Sequence, residues 1–103
     1  MSNDAHRPAG ARADPVAEAI LAALEEAGPG RSLSPAEIAR LFAGTRMKPG
    51  EPPDPERWRR YLPAVRQQAL HLARVGRIQV LHKGKPVAPG RVKGVVRLAL
   101  PPP

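Results

Sequence analysis

Cysteine is absent from this 103-residue chain, which excludes a disulfide framework and thiolate metal sites. Aromatic residues are almost absent. Phe42, Trp58 and Tyr61 are the full set, so Ile, Leu, Val and Ala must fill most of the interior. No stretch approaches the roughly 18 apolar residues of a membrane span, and residues 1–13 lack the apolar run of a secretory signal. The expectation is a cytoplasmic protein without membrane contact.

Catalytic motifs are also lacking. His6, His71 and His82 are the only imidazoles, and no H-x-x-x-H pattern joins them, so no metal site is expected. There is no G-x-x-x-x-G-K-[ST] phosphate loop; Lys83-Gly84-Lys85 is too short and reads as turn chemistry. Glu18, Glu25 and Glu26 fall on one helix as a solvated face, and Ser32 and Ser34 have no nearby His. These absences argue against an enzyme and against a bound cofactor.

The most informative shortage is local. Residues 1–54 hold six Lys/Arg and eight Asp/Glu, a balance of −2. Residues 55–103 hold eleven Lys/Arg and the single acid Glu56, a balance of +10. The formal net charge is +8. Compositional bias toward Arg explains part of this excess, but not the exclusion of acids from the second half. Positive charge confined to one part of a small domain provides a surface for a polyanion.

The residues that are present divide the chain cleanly. Residues 1–13 are polar, with Pro8 and Gly10, and read as a disordered tail. Residues 14–100 form one domain, and Pro101 to Pro103 form a stiff stub. The first helix covers residues 15–27, with Asp14 as N-cap, Pro15 at the first position and Gly28 as the stop. Val16, Ile20, Leu24 and Ala27 recur at helical spacing.

Ser34 and Glu37 make a capping box for a second helix, in which Ile38, Leu41 and Phe42 line one face and Gly44 ends the run. A proline-rich loop follows at residues 48–55. It is much longer than the turn of a standard helix-turn-helix and is expected to flex. The third helical region is residues 55–75. Trp58, Leu62, Val65, Ala69 and Leu72 share one face, and Pro63 imposes a kink near Leu62.

After Gly76 the period becomes alternating. Residues 77–82 read as a strand with Ile78 and Val80 inward. Residues 95–100 read as its partner, with Val96, Leu98 and Leu100 inward and Arg97 outward. Residues 83–94 form a basic hairpin tip, and residues 31–33 supply a third, edge strand. The resulting class is α+β: a winged helix-turn-helix with three helices and a two- or three-stranded antiparallel hairpin wing.

Several runs also resemble a known family: Ala39-Arg40, Trp58-Arg59, Val65-Arg66, Ala69, Leu72, Gly76-x-Ile78, Lys83-Gly84, Pro86-Val87 and Gly94-x-x-Arg97-Leu98. Over about residues 15–100 the chain resembles the bacterial domain-of-unknown-function family 3253. The resemblance implies a small winged-helix domain and brings no activity or site residues with it.

On a helical wheel, Arg60, Gln67, His71 and Arg74 lie opposite the apolar stripe of the third helix. In a winged helix that face enters a major groove, where Arg reads guanine and Gln reads adenine. Arg59 and Arg77 flank it and suit phosphates. Lys83, Lys85, Arg91 and Lys93 place four cations on the wing. Arg66, at the edge of the stripe, reads as structural, its head reaching Glu37 or a backbone carbonyl. Trp58 reads as a core residue, and the roles of Arg40 and Arg97 stay open. DNA is the expected partner, with RNA or an acidic protein as alternatives.

Overall fold

The computed structural model describes residues 14–92 and 94–102. The expected disordered tail and the cation at position 93 lie outside the described residues. Asp14 caps α1 (Pro15–Ala27): its Oδ1 accepts from the N–H groups of Val16 at 2.9 Å and Ala17 at 3.0 Å. These are donors that a helix start otherwise leaves free. Val16, Ile20 and Leu24 are buried, as their spacing predicts. At the other end Gly28 takes φ +94°, a region that only glycine enters readily.

The capping box of α2 (Pro35–Thr45) closes in both directions. Ser34 Oγ accepts from Glu37 N–H at 3.0 Å, and Glu37 Oε1 accepts from Ser34 N–H at 2.7 Å. Two expectations for this helix are corrected. Its inward arc is Ile38, Ala39, Phe42 and Ala43, whereas Leu41 is 57% exposed. The alanines rotate the contact face away from Leu41 and permit close packing. Gly44 does not end the helix either. Thr45 extends it by one residue, its hydroxyl donating to Phe42 O at 2.7 Å and satisfying a terminal carbonyl.

The third helical region is broken where the proline predicts. A 3₁₀ segment covers Arg57–Tyr61, and α3 covers Leu62–Arg74. Pro63 therefore falls in the first turn of α3, where the donor it lacks has no intrahelical acceptor. Val65, Ala69 and Leu72 are buried, and Trp58 and Leu62 are half-buried beside them. A Schellman motif ends α3: Gly76 N–H donates to Ala73 O at 3.1 Å and Arg77 N–H to Leu72 O at 2.8 Å.

The sheet among the described residues has four strands, one or two more than expected: β1 (Ser32–Leu33), β2 (Gln79–His82), β3 (Lys85–Val87) and β4 (Arg97–Ala99). All pairings are antiparallel, in the spatial order β1-β4-β2-β3. The strand not foreseen is β3. Its Lys-Pro-Val composition reads as loop, yet Lys83 and Gly84 form a two-residue turn with φ of +52° and +81°, which places His82 opposite Lys85. Pro86 is tolerated because β3 is an edge strand, and its missing N–H falls on the side away from β2. The expected long basic tip is thus a tight turn, a third strand, and a loop carrying a 3₁₀ turn at Pro89–Arg91.

Ile20, Leu24, Ile38, Val65, Val80 and Leu98 form the fully buried centre, drawn from α1, α2, α3, β2 and β4. Ala99, on the opposite face of β4 from Leu98, is buried as well, while Val96 and Leu100 are only half-buried. Arg97 ties the edge of the sheet to α2. Its Nε donates to Ser32 Oγ at 2.7 Å, and its Nη2 donates to Ser32 O at 2.9 Å and approaches Glu37 Oε1 at 3.4 Å.

The connection between α2 and the 3₁₀ segment carries hydrogen bonds of its own. Glu51 accepts from Lys48 N–H at 2.8 Å and from Arg57 Nη1 at 2.5 Å, while Arg57 Nη2 reaches Arg46 O at 3.4 Å.

Candidate functional site

Electrostatics separate the described basic residues from Arg57 onward into two sets. Arg57, Arg59 and Arg97 each hold a carboxylate: Glu51, Glu56 and Glu37 respectively. The N–H groups of Ser34 and Lys48 hold the carboxyls of Glu37 and Glu51 below their ordinary range, and the nearby guanidinium of Arg97 or Arg57 adds to the effect. The hydrogen bond to Glu51 in turn raises Arg57. These acids are engaged within the fold, on α2 and the loop after it. Of the three, Glu37 reaches β4 through Arg97, and none pairs with Arg66, Arg74, Lys83, Lys85 or Arg91.

The second set comprises Arg60, Arg66, Arg74, Arg77, Lys83, Lys85 and Arg91. All are exposed, and none has a side-chain hydrogen bond or ion pair among the described residues. Arg60 sits on the 3₁₀ segment and Arg74 in the last turn of α3. Arg77 follows the Schellman motif, Lys83 forms the β2–β3 turn, Lys85 starts β3, and Arg91 ends the 3₁₀ turn of the wing loop.

Two clefts flank α3. Gln67, His71, Arg74 and Arg77 border a cleft of about 770 Å³ toward α1, facing Asp14 and Glu18 across it. Asp14 is already engaged as the N-cap, and Glu18 makes no ion pair among the described residues. On the other side, Arg66 and Arg74 border a cleft of about 400 Å³ toward the wing loop, whose Pro89, Gly90, Val92 and Gly94 form the far wall. Arg74 belongs to both clefts, so the Gln67–Arg74 ridge of α3 stands between them. Lys83 and Lys85 line neither cleft and sit at the far end of the β2–β3 hairpin. His82 braces that end, its Nδ1 lying 3.0 Å from Val95 O.

Two residues depart from their sequence-based reading, and a third, whose role stayed open, is placed. Arg59, expected on phosphate, is paired with Glu56 and lies over the Trp58 ring at 4.8 Å from its centroid. Arg66, expected to reach Glu37 or a backbone carbonyl, makes neither contact among the described residues; Glu37 Oε1 meets Ser34 N–H and Arg97 instead. Arg66 opens instead onto the wing cleft. Arg40 lies 4.3 Å from the Trp58 centroid, so the only tryptophan is half-buried and carries two guanidinium groups. The sequence held one signal for the wing cleft: Leu70 interrupts the polar arc of α3 and is half-buried there.

No cluster of His, Cys, Asp and Glu suited to a metal ion occurs among the described residues, and no described helix is long and apolar enough to cross a membrane.

Residues 13–101 match the family model described as Protein of unknown function (DUF3253). The chain belongs to this family. No curated protein matches it. The DUF3253 match spans every helix and strand among the described residues, so α3, the β2–β3 turn and the β3–β4 loop all lie within the family domain.

Proposed function

We propose that this DUF3253 domain is a winged-helix nucleic-acid-binding protein that acts on duplex DNA without catalysis. The exposed ridge of α3 enters the major groove, where Gln67 and Arg74 meet base edges. Arg60, Arg66 and Arg77 meet phosphates along the helix, and Lys83, Lys85 and Arg91 meet phosphates from the wing. Arg59 contributes less than its sequence position suggests, because Glu56 already neutralises it.

One observation carries this reading. Arg60, Arg66, Arg74, Arg77, Lys83, Lys85 and Arg91 have no side-chain partner among the described residues, whereas Arg57, Arg59 and Arg97 do. Unpaired guanidinium and ammonium groups remain hydrated, and a polyanion that displaces their counterions gains affinity.

The test is fluorescence anisotropy with a random duplex at low salt, comparing wild type with the charge-reversed variant K83E/K85E/R91E. The variant should bind at least about tenfold more weakly, and equally so for every duplex, since phosphate contacts carry no sequence information. Gln67→Ala should instead alter the ranking of duplexes. Equal binding by wild type and the wing variant would remove the proposal. Stronger competition by RNA than by DNA would move the target to RNA.

A further inference from the structure

We propose that the cleft between α3 and the wing loop binds a small amphipathic carboxylate, an organic anion with an aliphatic or aromatic body. This site does not depend on the nucleic-acid reading. Its floor is aliphatic and comes from three elements: Ala69 of α3, Val80 of β2 and Leu98 of β4, all buried. Leu70, Val92 and Val96 form half-buried walls. The volume of about 400 Å³ lies in the range of small-molecule sites, roughly 300–1,000 Å³, which are mostly apolar with a few placed polar groups.

Here the placed groups are Arg66 and Arg74, eight residues apart on α3 and therefore about 12 Å apart along its axis. Both border the cleft, and neither has a partner among the described residues. A guanidinium presents a planar fork that matches a carboxylate through two parallel hydrogen bonds. An apolar floor beneath such a fork complements a molecule with an anionic head and a water-averse body. A sugar-phosphate backbone would leave the half-buried Leu70, Val92 and Val96 uncovered, and a cation would be repelled at the rim. The wing loop forms one lip of the site, with Gly90 and Gly94 in its wall.

Octanoate is the probe, with 1-octanol and octylammonium as neutral and cationic controls. Each is titrated below its micellar concentration into the full chain and followed by methyl and amide NMR shifts. Octanoate should saturate at one site, shifting Leu70, Val80, Val92 and Val96, and should bind about tenfold more tightly than octanol. The R66Q/R74Q variant changes only exposed side chains. It should bind octanoate no better than octanol while keeping the wild-type melting temperature. Octanoate binding without saturation, shifts centred outside the cleft, or equal affinity for octanoate and octylammonium would overturn the proposal. The comparison of the three ligands needs no variant. The K83E/K85E/R91E variant, which leaves the lining of this cleft unchanged, should keep octanoate binding while losing duplex binding, and this tells the two proposals apart.

Discussion

Glu37 is engaged from two directions. Its Oε1 receives the Ser34 N–H at 2.7 Å, and Arg97 approaches the same atom at 3.4 Å. The first contact belongs to the capping box and is legible as Ser-Pro-Ala-Glu. The second joins residues sixty positions apart and depends on the β1–β4 register, which no local pattern encodes. For the same reason the sequence offered Arg66 as a partner for Glu37 or a backbone carbonyl: both strands, 31–33 and 95–100, were legible, and the register that sets Arg97 beside Ser32 was not. The Glu37 carboxyl is held below its ordinary range, chiefly by the Ser34 N–H. A depressed carboxyl favours the folded state while it is ionised in both states, so its contribution is present above the usual glutamate range. That contribution is lost as pH falls through the depressed value. Glu37→Ala should therefore cost about 0.5–1 kcal/mol near neutrality, at the low end because the pair is solvent-exposed. Urea denaturation should show the gap between variant and wild type closing as the pH is lowered beneath that range.

At the level of elements, helix boundaries were readable because their signals are chemical and local. Asp14, Ser34 and Gly76 do what their positions predict, and Pro63 sets the change from 3₁₀ to α at Leu62. Strand β3 was not readable. Lys85 and Pro86 have poor strand propensity, and edge pairing with β2, not composition, makes them a strand. The β2–β3 turn needs positive φ at both central residues, and Lys83 meets that need less comfortably than Asn or Gly. Gly84→Ala should lower stability by about 1 kcal/mol. Lys83→Asn should leave the melting temperature unchanged or raise it while deleting one wing cation. Thermal melts of the two variants, expected to move apart in this order, check both the turn and the existence of β3.

For the whole molecule, the division of charge into −2 and +10 halves was visible from the start. Which cations are free was not, because pairing is a tertiary property. Folding assigns Arg57, Arg59 and Arg97 to carboxylates and leaves Arg60, Arg66, Arg74, Arg77, Lys83, Lys85 and Arg91 facing solvent. It also places the acids Asp14 and Glu18 across one cleft from Arg74 and Arg77, so the wing side of α3 is the more uniformly positive. If about five of these cations meet phosphates, the logarithm of the binding constant should fall with the logarithm of salt concentration at a slope of roughly −4.5. The decisive measurement is the affinity of the full chain for a random DNA duplex between 50 and 200 mM salt, by the definition of that slope. A slope near the stated value is the predicted result. A slope near zero, or no binding at the lowest salt, contradicts the account.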